Sequence, residues 1–231
     1  MAGDLTSAFD FTTTGAMPSL PATSGMAPKD KLRHPSYAPT APSAGTMPKQ
    51  ESGVRPARPL GYDLTVTEKA HAGTIAVTLH NAGRLGAHLQ ARLVTPAGQP
   101  HSYTVSAGAS LDASWPVAGD YDIQLHGPNG FFRRYAGHGD STLLADVAPA
   151  GASHQLQLKL SGAAGQQVVV TDAYGGVERR LNGNGALTLD LRASSGWYDV
   201  TLRTVDGSWT RTFAGHIENG KPSSSDPQLG R

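Results

Sequence analysis

The chain has 231 residues, with 19 Lys and Arg against 18 Asp and Glu, and no Cys. A net charge this close to zero leaves no basic footprint for nucleic acid, and without Cys neither a disulfide framework nor a thiolate metal site can form. Gly and Pro are abundant at 28 and 16, helix-period patterns are scarce, and no apolar run approaches the ~18 residues of a membrane span, so the composition favours an all-β protein rich in turns.

In chain order, "MAGDLTSAFDF" has no basic stretch followed by an apolar core, so it does not read as a secretory signal. Residues 12–60 then hold nine of the sixteen prolines, from Pro18 to Pro59. Proline fixes φ and cannot donate to a ladder, so the segment reads as an extended connector with polyproline character. Its surplus of Lys and Arg has two readings, a solvated linker or a strap on an acidic surface of another domain. From residue 61 the pattern changes to period two. "YDLTVT" (62–67), "GTIAVTLH" (73–80), "YDIQLH" (121–126), "HQLQLKL" (154–160), "ALTLDL" (186–191) and "WYDVTL" (197–202) each put apolar side chains on alternate positions, which buries one strand face and wets the other. Turn signals separate them, among them Asn129-Gly130, Asn182-Gly183 and Asp206-Gly207.

One stretch occurs twice. "YDIQLHGPNGFFRRYAGH" (121–138) returns as "YDVTLRTVDGSWTRTFAGH" (198–216), with one residue gained in the turn. Tyr121, Ile123 and Leu125 match Tyr198, Val200 and Leu202. Phe131, Arg133 and Tyr135 match Trp209, Arg211 and Phe213, and Ala-Gly-His closes both copies. Upstream, Ile75, Val77 and Leu79 match Leu156, Leu158 and Leu160 more loosely. The chain therefore reads as all-β: two tandem small β-sandwich modules, 61–148 and 152–217, after a largely unstructured proline-rich N-terminal segment, with a flexible tail over 218–231. Modules this small have thin cores, so they are expected to pack on each other or on a third domain.

The repeat also supplies the candidate contact residues: Phe131, Phe132, Arg133, Trp209 and Arg211. Arg133 and Arg211 share a strand face with the aromatics that flank them. They read either as partly buried cations held by ring contacts and a carboxylate, or as a basic aromatic groove for phosphate or choline head groups. Phe131 and Phe132 cannot both face inward, because neighbours on a strand alternate. Phe131 shares its face with Tyr135, leaving Phe132 outside against a neighbouring domain or a membrane interface. Chemistry is otherwise sparse. None of the nine His stands in a His-Glu-x-x-His or comparable metal spacing. "GASLD" and "GASHQ" both fail as Gly-x-Ser-x-Gly elbows. No catalytic, metal-binding or cofactor-binding residue is nominated, and no cofactor is expected.

The order "DLTSAFDF" (4–11), "RHPSY" (33–37), "RPARPL" (55–60) and "HGPNGF" (126–131) resembles the C-terminal region of the bacterial phosphocholine-specific phospholipases C. The resemblance implies that residues 1–11 are the end of a catalytic domain, 12–60 its connector, and the β modules the two C-terminal domains of that family. It also implies a catalytic domain in cis as partner, a phospholipid surface as a second partner, and a parent that releases phosphocholine from phosphatidylcholine or sphingomyelin in a secreted or periplasmic setting. The chain as given carries no signal sequence and would remain cytoplasmic. The family's catalytic residues lie upstream of "DLTSAFDF", so none carries over and the chain alone is expected to be inactive. The alternative is a free-standing β-sandwich that binds carbohydrate or protein.

Overall fold

Alternation in "LTVTEK" and "TIAVTLHN" puts Val66, Ile75, Val77 and Leu79 on one side, and all four are buried. These segments are two of sixteen strands in a computed structural model of the chain, which describes residues 53–151 and 154–229. No helix occurs among the described residues, and the class is all-β as the sequence indicates. The expected remnant at 1–11 and the connector up to residue 52 lie outside the described residues.

The first module is built from β2 (Leu64–Lys69), β3 (Thr74–Asn81), β4 (Ala87–Thr95), β5 (His101–Val105), β6 (Ser110–Pro116), β7 (Asp120–His126) and β8 (Phe132–His138). The second repeats the plan with β9 (Leu144–Pro149), β10 (Gln155–Ser161), β11 (Gln167–Asp172), β12 (Val177–Asn182), β13 (Gly185–Asp190), β14 (Trp197–Thr204) and β15 (Trp209–His216). In each module a three-stranded sheet, β2-β3-β6 or β9-β10-β13, covers one half of a shared antiparallel sheet. That sheet runs β12-β11-β14-β15-β8-β7-β4-β5 through both modules. One core packs Val77, Leu79, Leu89, Ile123 and Leu125, and the other packs Leu156, Leu158, Val170, Val200 and Leu202.

The boundary between modules falls earlier than the pattern suggests. The first module expected over 61–148 takes in residues 144–148. They lie in β9 instead, pairing along β10 and contributing Ala145 and Val147 to the second core. The strand shows only a short, small-residue alternation that ends in Pro149, too weak a signal to read as the opening of a repeat. Turn chemistry follows expectation at the repeated hairpin. Asn129 and Gly130 both adopt positive φ, at 52° and 72°, within a connection over residues 127–131 between strands that pair at His126 and Phe132.

The end of the chain also differs from a flexible tail. Beyond Ile217 it runs to β16 (Ser223–Ser224), which pairs antiparallel with β1 (Pro56–Ala57). The last residues expected in the connector are therefore strand, and the residues expected to fray are their partner.

Candidate functional site

The two copies of the repeated hairpin meet. β15 pairs with β8 so that Arg211 lies opposite Tyr135 and Phe213 opposite Arg133. Exchanging each residue for its repeat equivalent turns the first pair into the second, so this register is that of a local two-fold. The side chains obey it too. Arg133 donates through Nη1 to the carbonyls of Phe132 (2.8 Å) and Ala214 (2.9 Å), and through Nη2 to the Tyr198 hydroxyl (3.0 Å). Arg211 donates through Nη1 to the carbonyls of Thr210 (2.9 Å) and Ala136 (3.3 Å) and to the Tyr121 hydroxyl (3.4 Å). Each arginine thus reaches a tyrosine of the other module. Rings flank both: Phe131, Phe213 and Tyr198 around Arg133, and Trp209, Tyr135 and Tyr121 around Arg211. Such cation–ring contacts contribute about 0.5–2 kcal/mol where water is excluded.

The symmetry breaks at one position. Arg211 is clamped by Glu68, with Nε at 3.1 and 3.0 Å from the two carboxylate oxygens and Nη2 at 2.6 Å from Oε1. Burial works against the Arg211 charge, but the Glu68 carboxylate outweighs it and holds the guanidinium above its ordinary pKa. Glu68 lies opposite Val77 on β3, and the equivalent partner of Leu158 on β10 is Val147. Arg133 accordingly has no ion pair among the described residues, and its Nε has no hydrogen-bond partner. Nearby, the Glu68 N–H donates to Asp146 Oδ1 at 2.9 Å, which joins β2 to β9 across the seam.

These contacts locate the five candidate residues. Arg133, Trp209 and Arg211 are each 1% exposed and Phe131 is 7% exposed. These four side chains therefore form no basic aromatic groove open to head groups among the described residues: they are packed into the seam between modules, facing protein. Alternation put the arginines on the right face. It could not show that a second sheet layer closes over that face, because β2 and β9 arrive from elsewhere in the sequence. Phe132 lies on the opposite, outer face, half-buried, with its ring 5.0 Å from that of His126.

The outer face carries a second asymmetry. Arg134 makes a two-pronged bond to Asp122, at 3.0 and 2.8 Å. In the other copy Arg134 is matched by Thr212, so Asp199 lacks that partner. Burial, and then the carboxylates of Asp172 and Asp226, raise the Asp199 pKa. Asp226 also accepts from the Tyr174 hydroxyl at 2.8 Å.

His138 and His216 occupy matching positions with different surroundings. His138 is exposed and meets Asp120. His216 is enclosed: Nδ1 lies 3.0 Å from Glu218 Oε1, and Nε2 lies 2.9 Å from Ser223 Oγ and 3.1 Å from the Ser195 carbonyl. Ser, His and Glu in line have the order of a nucleophilic relay. Here the Ser223 hydroxyl donates to the Ser195 carbonyl at 3.1 Å, and its backbone is paired in β16, so the line acts as a pin between segments. The sequence held no signal for it, since its residues are joined by a strand pair that local pattern does not reveal. Among the described residues no group of three or more His, Asp or Glu converges to hold a metal ion.

Comparison with known proteins agrees with the extent of the first module. Residues 56–138 match the family described as bacterial phospholipase C, C-terminal domain. Nearly the whole chain is similar to three longer proteins. It is 39% identical to a non-hemolytic phospholipase C of Burkholderia pseudomallei (strain K96243), over 98% of this chain and 35% of that protein. It is 34% identical to a non-hemolytic phospholipase C of Pseudomonas aeruginosa, over 99% and 36%, and 32% identical to a hemolytic phospholipase C of the same organism, over 98% and 38%. The chain thus spans little more than a third of the length of the curated relatives it matches. Among solved structures, red sea bream transglutaminase aligns over 73% of this chain and 31% of its own, at 12% identity and a TM-score of 0.21, a superposition too loose to bear on the fold. Residues 56–138 thus match the bacterial phospholipase C C-terminal domain, and the chain as a whole resembles the C-terminal region of such proteins.

Proposed function

We propose that this chain is the non-catalytic accessory part of a phospholipase C that acts on phosphocholine-bearing lipids, and that it works by supporting a catalytic portion in cis. The observation that carries the reading is the coverage. The chain aligns almost end to end with relatives named as phospholipases C, yet accounts for only 35–38% of their length. The interior of the β modules favours a supporting role as well, since its strongest charged pair, Arg211 with Glu68, is spent on holding the two modules together. Engagement of a lipid surface through the outer face that carries Phe132 is the finer part of the proposal, as is a workplace outside the cytoplasm for the intact enzyme.

The test is phosphocholine release from lecithin vesicles. The purified chain is expected to give none, a full-length phospholipase to give turnover, and the same enzyme cut back to its catalytic portion to lose stability or activity. Turnover that survives repurification and tracks the concentration of the isolated chain would overturn the reading.

A further inference from the structure

The strap after Ile217 has no counterpart in the repeat. The first module ends at His138 and turns directly into β9, while the second continues past the matching His216 into residues 218–229. The first sandwich closes without such a segment, so the fold of a module does not require one. The strap is nevertheless pinned along its length. His216 and the Ser195 carbonyl hold Ser223, and the Trp197 indole Nε1 donates to the Ser224 carbonyl at 2.9 Å. The Tyr174 hydroxyl holds Asp226, and the Gln228 amide reaches the Ala173 carbonyl at 3.4 Å. These anchors belong to the second module; only at the start of the strap does the first module reach it, where the Asn129 side-chain amide donates to Glu218 Oε1 at 2.9 Å. What the strap in turn holds is the incoming chain. Pro56 and Ala57 pair with Ser224 and Ser223, the Ser225 N–H donates to the Arg55 carbonyl at 2.7 Å, and the Arg55 N–H donates to Ser225 Oγ at 3.0 Å.

We propose that residues 218–229 are a clasp that anchors the polypeptide entering at residues 53–57 to the second module, so that the catalytic portion preceding it in the phospholipases is tethered through the last module of the chain and not through the first. The sequence order hides this, because residue 57 is followed by the first module. Residues 55–57 are paired with the strap before the chain enters β2. The inference rests on the accessory reading above for the identity of what is tethered, and on the observed strand pair for the tether itself. Three properties suit the pair to this task. It is backbone-to-backbone, so it fixes direction as well as position. It contains Pro56, with Pro59 just beyond it, and both stiffen the incoming chain. It is short, so it depends on the side-chain pins beneath it, the buried Trp197 and the half-buried Tyr174 among them, and removing those pins is expected to release the incoming segment.

The experiment has two arms. In the first, hydrogen exchange is measured on this chain, on a variant ending at Ile217, and on the double variant Trp197→Phe with Tyr174→Phe, which keeps the strap but removes two pins. The expected result is a roughly tenfold or greater rise in exchange at the Arg55 amide, the scale of losing one hydrogen bond, with protection unchanged along β3, β7 and β8. Unchanged exchange at Arg55 in both variants overturns the clasp. In the second arm, spin-label distances between the catalytic portion and the second module are measured in a full-length phospholipase with and without the corresponding strap. A distance distribution that broadens on deletion supports the tether. Released exchange in the first arm with an unaltered distribution in the second overturns the tether while leaving the accessory role standing, because that role is judged separately by vesicle hydrolysis.

Discussion

Repeat-equivalent arginines give a controlled comparison, since the same substitution removes nearly the same hydrogen bonds and ring contacts at both sites. Arg133→Met and Arg211→Met each delete a guanidinium that bonds two backbone carbonyls and one tyrosine hydroxyl of the other module. The difference is what remains. Arg211→Met abandons Glu68, whose side chain is 2% exposed, and stranding one partner of a buried ion pair costs about 3–5 kcal/mol. Arg133→Met strands no carboxylate, because Val147 stands where a second glutamate would be. For a unit of this size each kcal/mol moves the melting temperature by roughly 2–4 °C. Arg211→Met should therefore melt about 6–20 °C below Arg133→Met in a thermal scan of the chain. Adding Glu68→Met to Arg211→Met should recover most of that gap, since replacing both members of a buried pair with apolar groups is often near neutral. Equal melting of the two single variants, or a lower value for Arg133→Met, would refute the argument that Glu68 distinguishes the sites.

Two further outcomes follow from the outer face. Phe132→Ala in a full-length phospholipase should weaken vesicle partitioning with melting unchanged if that face meets lipid. Burial of one Phe is worth about 1.5–3 kcal/mol, roughly ten- to a hundredfold in binding, and unchanged partitioning would dismiss the lipid contact. Asp199→Asn tests the pH dependence of the second module. A carboxyl raised in the folded state keeps its proton there over a range in which the unfolded chain has lost it, so stability falls as pH rises from about 4 through the raised value. Melting curves should show the variant more stable than the parent above that window and indistinguishable below it, and a constant offset at every pH would mean that Asp199 is not the titrating group.

Several features follow from the sequence alone, for reasons that are local. Alternation in "YDIQLH" and "WYDVTL" reports a half-buried strand because successive side chains point to opposite faces, and β7 and β14 lie where the pattern puts them. The repeat and its turns are equally local, and the family's motifs follow the chain in order. The tertiary structure alone decided what covers those faces. Arg133 and Arg211 occupy the same place in the same pattern, yet only Arg211 meets a carboxylate, because β2 brings Glu68 over it from 143 residues away. The strand from 144 to 149 joined the second module because its pairing energy lies with β10, which neighbours it only through register. The strap after Ile217 became ordered because its backbone found partners at residues 55–57, some 170 residues earlier. Side-chain periodicity records which face a residue takes, whereas burial, charge pairing and the order of a terminus depend on what the rest of the chain lays against that face.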